Sequence, residues 1–321
     1  MPTHTRHVDP PAPASYRRRA LALFAILLTA IGGALPAARA ADTAHSAPAP
    51  LIVFMTDYGT LDDSVAICKG VMLSIAPEAR IVDLTHQVTP YSVADGARYL
   101  ARASLYFPAA TIFIGVVDPG VGTKRRSIIA KSRRGQYFVV PDNGLLTPIQ
   151  DRDGIESVRE ITNPAWMLPG TISATFHGRD IFSPAAAHLA RGDDWSQAGP
   201  AVPQLVRLAL PSAAPDASGL KGHVVGLDGP FGNLITDISA ARFRELGYRV
   251  GDKVSVSLGD ATLVIPYVST FGDVPTGQPL MYIDSSGLLS VAINQGNFAQ
   301  EHHIVPPVTL VVAKKTTTTP R

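Results

Sequence analysis

Asp118, Arg125 and His177 are the residues of this chain best suited to do chemistry. Asp118 follows the apolar pair Val116-Val117 and opens a glycine-rich turn, Pro119-Gly120-Val121-Gly122, with Arg125 just beyond it. His177 stands in a second polar cluster, Thr175-Phe176-His177-Gly178-Arg179-Asp180, inside an apolar frame. A carboxylate, a guanidinium and an imidazole brought together can hold and polarise a water molecule. Upstream, Phe54-Met55-Thr56-Asp57-Tyr58-Gly59 ends another apolar run in a carboxylate suited to gripping a ribose diol. Together these residues point to water attacking a nucleoside-like substrate. Singly, each has a plainer explanation: Asp57 as a loop residue, Asp118 as a turn opener, Arg125 as a surface cation, His177 as a half-buried histidine.

The elements that must position them alternate. Residues 51–56 form a continuous apolar run, as in a strand buried on both faces. Asp62-Asp63-Ser64 can cap a helix whose apolar positions Val65, Cys68, Val71, Met72 and Ile75 keep a 3.6-residue period until Pro77. Strand signals follow at 81–84, 111–117 and 137–140, with a helix over 92–105. This order predicts an α/β domain over 51–202, a mostly parallel sheet with flanking helices. Asp57 and Asp118 then fall at the carboxyl ends of strands, where such sheets gather ligands. Residues 203–222, rich in Pro, Ala and Ser, read as a linker. Beyond it, runs at 224–227, 253–258, 262–268, 280–283, 288–293 and 308–312 predict a smaller all-β, barrel-like domain over 223–313. Residues 314–321 read as a polar tail.

Composition narrows the function classes. Hydrophobic residues make up 46% and charged residues 17% of the chain, enough for full cores. The formal charge of +2 comes from the N-terminus: residues 1–40 hold five basic side chains and one acidic, leaving 23 basic and 25 acidic, a net of −2. A weakly acidic remainder argues against nucleic acid and anionic membrane as partners. Residues 1–40 read as a signal peptide, with Arg17–Arg19, an apolar stretch from Ala20, and the small-x-small pattern Ala38-Arg39-Ala40. The expected location is therefore periplasmic or extracellular, by the general secretory or the twin-arginine route, with 41–50 as a tether. The single cysteine, Cys68, excludes an intrachain disulfide and a multi-cysteine metal site. His302-His303 adjoin each other, a poor chelating geometry on a strand, so no metal is expected.

The chain resembles the S-adenosylmethionine hydroxide adenosyltransferases, relatives of the adenosyl-fluorinase and adenosyl-chlorinase. The likeness rests on Thr56-Asp57-Tyr58-Gly59 with Asp62-Asp63-Ser64-Val65, Thr89-Pro90-Tyr91, Asp118-Pro119-Gly120-Val121-Gly122 with Arg125, Pro141-Asp142-Asn143-Gly144-Leu145-Leu146 and Phe176-His177-Gly178-Arg179-Asp180. In the C-terminal half it adds Asp228-Gly229-Pro230-Phe231-Gly232-Asn233 and Asp284-Ser285-Ser286-Gly287. The resemblance implies attack of water on the ribose C5′ of S-adenosylmethionine, giving adenosine and methionine without any cofactor. It implies that Asp118, Arg125 and His177 surround the water while Asp57 bonds the ribose hydroxyls. Asp228 would face the methionine ammonium, Ser285 its carboxylate, and Asn233 the adenine edge. It also implies a homotrimer with substrate between subunits.

Departures from the fluorinase favour water over halide. There a tyrosine takes the place of Asp118 and a serine that of Gly178, and an insertion absent here follows residue 131. A carboxylate in a poorly screened pocket repels an anionic nucleophile by roughly several kcal/mol. Ser286 stands where the fluorinase has an arginine, and Tyr91 where it has a tryptophan. Two other readings remain. Asp57-Tyr58-Gly59-Thr60-Leu61-Asp62-Asp63 is similar to the acidic motif of metal-dependent nucleoside hydrolases, with altered spacing. An exported, non-catalytic binder of adenosyl compounds is the third.

Overall fold

The computed structural model describes residues 49–315; the signal expected over residues 1–40, most of the tether and the end of the tail lie outside them. The first half alternates as its apolar runs predict: β1 (Leu51–Thr56), α1 (Ser64–Ile75), β2 (Arg80–Thr85), α2 (Val93–Ser104) and β3 (Ile112–Val116). There follow β4 (Ser127–Ser132), β5 (Tyr137–Pro141), α3 (Thr147–Arg152), β6 (Ile155–Glu160) and α4 (Ser183–Arg191). At the start of α1 the Asp62 carboxylate accepts from the Ser64 amide at 3.0 Å, while Asp63 makes no side-chain cap bond. Ser92 caps α2, accepting from the Asp95 amide.

These strands form one sheet in the order β2-β1-β3-β5-β4-β6. β2, β1, β3 and β5 run parallel, and β4 pairs antiparallel with both β5 and β6, so the sheet is mixed. The short connection from β4 to β5 leaves no room for the crossover that a parallel pair needs. Successive residues of β1 feed opposite cores. Ile52 and Phe54 pack with Met72 of α1 and Ala185 and Ala186 of α4. Val53 and Met55 pack with Leu100 of α2 and Ile149 of α3. Helices thus cover both faces, as the apolar strand runs require. Full burial of rings such as Phe54, Phe113 and Phe138 contributes about 1.5–3 kcal/mol each.

The second half is nearly all β: β7 (Ala214–Asp216), β8 (Gly219–Asp228), β9 (Asn233–Ser239), α5 (Ala240–Arg244), β10 (Lys253–Leu258), β11 (Ala261–Pro266), β12 (Pro279–Ile283), β13 (Leu288–Ile293), α6 (Phe298–Glu301) and β14 (Val308–Ala313). β7 and the first residues of β8 lie inside the stretch read as a linker. The strands pair antiparallel in the order β11-β10-β14-β8-β9-β13-β12, with β7 on β8. A bridge between Tyr267 and Met281 draws the two ends of this order together, so the sheet nearly closes into a barrel. Phe243, Val254, Met281, Phe298 and Leu310 fill it.

Candidate active site

β1 and β3 are neighbours running the same way, so the loops that leave them emerge at one edge of the sheet. Asp57 follows β1 directly, and Asp118 follows β3 after the buried Val117. The Val117 carbonyl accepts from Asn143 Nδ2 at 2.9 Å, which fixes the chain just ahead of Asp118. The turn beyond needs glycine: Gly122 has φ +74°, and a Cβ there would lie 2.3 Å from the Ala174 carbonyl oxygen.

Arg125, just before β4, reaches back to Asp118. Its Nε donates to Oδ1 at 2.8 Å and to Oδ2 at 3.0 Å, and Nη2 also donates to Oδ2. The other nitrogens bond further partners. Nη1 bonds Ser127 Oγ at 2.7 Å, and Nη2 lies 2.8 Å from His177 Nδ1. The guanidinium carbon stands 5.2 Å from the centre of the Phe182 ring. A guanidinium only donates, so His177 Nδ1 must accept, and the ring proton belongs on Nε2. Burial and the Arg125 charge both push the His177 pKa down, against the opposing influence of Asp118, Asp180 and a hydrogen bond to the Ser173 backbone. His177 is therefore a neutral ring held in one tautomer, immediately before the π-helical turn Gly178–Phe182 that leads into α4.

Asp57 Oδ2 accepts from the Tyr91 amide at 2.9 Å. Tyr91 has φ 65°, the left-handed region that a β-branched or aromatic residue enters only when its surroundings impose it. Tyr58, which sequence reasoning left aside, closes the arrangement. Its hydroxyl occupies the space over Gly178, where a Cβ would come within 2.2 Å of it. Burial, then the nearby Cys68, Asp57 and Asp118, hold the phenol far above its ordinary pKa, so it stays neutral.

Asp57, Tyr58, Tyr91, Asp118, Thr175 and His177 line a cavity of about 370 Å³, with Arg125 behind Asp118. That volume suits a small organic ligand. A smaller hollow of about 180 Å³ beside β6, lined by residues such as Gln150, Glu156 and Gln204, gathers no comparable set. Of the acidic motif, Asp57 turns to the Tyr91 amide and Asp62 to the Ser64 amide, an arrangement unlike a shared cation site. Among the described residues no group of three or more His, Cys, Asp or Glu is arranged to hold a metal ion.

The C-terminal candidates form a separate set. Asp228 and Asn233 face each other where β8 turns into β9, with Asn233 Nδ2 3.3 Å from Asp228 Oδ2. Ser285 lies in the turn between β12 and β13, beside Asp284, which accepts from the Ser286 and Leu288 amides at 2.8 and 2.9 Å. Burial, and then the Asp228 and Asp284 charges, push the Tyr282 phenol up to about 12. None of the three lines the cavity beside Asp118. Tyr282 and Ser127 carried no signal of their own in the sequence, and the Tyr91 contribution is a backbone amide that no residue type announces.

Known proteins match this arrangement over most of its length. A family model described as SAM hydroxide adenosyltransferase N-terminal domain matches residues 52–199, and its C-terminal counterpart matches residues 222–308. The chain is 42% identical over 265 residues to a protein named (R)-S-adenosyl-L-methionine hydrolase from Salinispora arenicola, covering 81% of this chain and 96% of that one. It is 34% identical over 292 residues to a fluorinase from Actinoplanes sp., covering 83% and 98%. Among solved structures, an uncharacterized conserved protein from Thermotoga maritima aligns with a TM-score of 0.77 at 37% identity, covering 82% of this chain and 99% of that chain.

Proposed function

The chain belongs to the SAM hydroxide adenosyltransferase family, and from that premise we propose that it hydrolyses S-adenosylmethionine to adenosine and methionine. The observation that carries the reading is the Asp118–Arg125–His177 cluster at a cavity of ligand size. A water oxygen attacks the ribose C5′, the C5′–S bond breaks, and its electron pair passes to sulfur. The sulfonium thereby becomes the neutral thioether of methionine and needs no acid to leave. The water must lose a proton, and the acceptor we assign is Asp118. His177 Nδ1 is occupied by Arg125 and its Nε2 carries a proton, so the imidazole orients and does not deprotonate. Arg125 aligns both side chains. Asp57 bonds the ribose hydroxyls, a charge-assisted pair of contacts.

Asp228, Asn233 and Ser285 would hold the ammonium, the adenine edge and the carboxylate of the substrate. Their absence from the lining of the cavity supports a homotrimer whose sites lie between the first half of one subunit and the barrel of the next. The basic, apolar and Ala-x-Ala segments of residues 1–40 support export to the periplasm or beyond, where the enzyme would meet adenosylsulfonium that has left the cytosol.

Incubating the protein from residue 41 onward with S-adenosylmethionine, with and without excess EDTA, and identifying the products by chromatography tests this reading. Adenosine and methionine should form at equal rates in both samples. Free adenine would point to glycosidic cleavage, and activity that EDTA abolishes and calcium restores would point to a metal-activated water. Either outcome overturns the proposal.

A further inference from the structure

A network beside the cavity, buried at Thr56 and His86 and open to solvent at Asp83 and Lys69, has no part in the reaction described above. Thr56, the last residue of β1 and fully buried, meets His86 Nδ1 through Oγ1 at 2.9 Å. His86 is 5% exposed and stands edge-on to the Phe54 ring, 4.9 Å between centres. Its Nε2 lies 3.0 Å from Asp83 Oδ1, and Asp83 Oδ2 accepts from Lys69 Nζ of α1 at 2.6 Å. The protons follow from the partners. Burial pushes the Asp83 carboxyl up, but Lys69 and His86 outweigh it and hold it below its ordinary value. An ionised Asp83 only accepts, so His86 Nε2 carries a proton. With that tautomer Nδ1 accepts a hydrogen bond from the Thr56 hydroxyl. This leaves a Thr56 lone pair for the Tyr58 amide, 3.2 Å away. The His86 carbonyl accepts the next amide, that of Gly59, at 2.7 Å.

We propose that His86 is a positioning residue: through Thr56 and its own carbonyl it fixes the Asp57–Gly59 turn, and so sets the affinity for the ribose of the adenosyl substrate. The network is a chain of four side chains from β1, α1, β2 and the loop after β2, and it ends at the Tyr58 amide next to Asp57, while the His86 backbone holds the Gly59 amide. Asp57 and Tyr58, on either side of that first amide, both line the cavity. The inference rests on the reading of Asp57 as the ribose grip. It separates ligand affinity from the water chemistry, which belongs to Asp118 and its partners.

Thr56→Val, Thr56→Ser, His86→Asn and His86→Gln test it, with steady-state kinetics on S-adenosylmethionine and calorimetric titration with adenosine. Thr56→Val keeps the shape and removes the hydroxyl. It should raise KM and the adenosine Kd by about fivefold to tenfold, the weight of one positioned hydrogen bond. Turnover at saturation should stay within about twofold of the unmodified protein. Thr56→Ser should restore the affinity. His86→Asn, whose amide falls near the Nδ1 position and faces Thr56, should bind better than His86→Gln, whose amide falls near Nε2. A lower melting temperature in Thr56→Val with unchanged KM and Kd would make the network a structural staple and overturn the proposal. So would a His86→Gln protein that binds as well as His86→Asn. Unmodified protein that yields no adenosine sinks the functional reading, and the role of the network with it; normal turnover by that protein with an unaffected Thr56→Val variant sinks the network alone.

Discussion

Arg125 spends all of its hydrogen-bonding nitrogens inside the protein, on Asp118, Ser127 and His177, and this makes it the organiser of the proposed water site. Its side chain is 10% exposed and that of Asp118 5%, so the pair is nearly withdrawn from solvent and each charge depends on the other. If Asp118 takes the proton, Asp118→Asn should lower turnover by about 10²–10⁴, and His177→Ala by about 10² through loss of alignment, with KM little changed in either. Asp57→Ala should do the reverse and chiefly raise KM. The histidine also leaves a mark in pH. Its native pKa lies below the unperturbed 6.5, so the neutral ring, and with it the activity, persists below pH 6.5 and is lost only as pH falls through the lower native value. Stability follows the same sign. Between 6.5 and the native value the unfolded chain binds a proton that the folded chain refuses, so stability declines with falling pH across that window and then levels off. A kcat/KM profile whose acidic limb centres at or above 6.5 would contradict this. Asp57, Asp118, Arg125 and His177 could be singled out from the chain because charged residues ending apolar runs are conspicuous. Tyr58 and the Tyr91 amide could not, since their part comes from where the backbone places them.

The Tyr58 hydroxyl, on the loop that follows β1, sits over Gly178 at the start of the π-helical turn Gly178–Phe182. A methyl group on residue 178 would overlap that hydroxyl at 2.2 Å and its ring carbon at 3.1 Å. Gly178→Ala should cost about 1–3 kcal/mol of stability, the range for forcing an extra group into a filled space. Tyr58→Phe in the same protein should return part of the loss. Thermal melts of the two single variants and the double variant give the coupling, and additive effects would mean that the two residues do not press on each other. Elements were legible in unequal measure. β1 and β13 stood out because nearly every residue in them is buried. β6 left little trace, since Val158 is its one buried residue and Glu156, Arg159 and Glu160 break its apolar pattern. α4 hides for another reason. It buries Ser183, Pro184 and three alanines, small residues with no contrast between an apolar and a polar face. β4 reverses direction within a sheet otherwise built of parallel pairs, and only the brevity of its link to β5 foretells it.

At the scale of the whole molecule, one chain carries two groups of candidate residues that do not share a cavity. A site shared between subunits makes a quantitative prediction. Asp118→Asn and Asp228→Ala should each be nearly inactive alone. Mixed trimers assembled from equal amounts should recover about a quarter of the unmodified activity, because one subunit boundary in four joins an intact first half to an intact barrel. Sites contained within single chains would recover nothing, and light scattering should report about three chain masses for every protein in the series. A last consequence comes from Cys68. The thiol is fully buried on α1 against the sheet, and burial raises its pKa to about 11, so it is both hidden and protonated in the folded protein. It is also the single sulfhydryl of the sequence. A maleimide can therefore reach it only while α1 has parted from the core it shares with α4, and the speed of labelling becomes a built-in clock for how often the first half of the molecule opens.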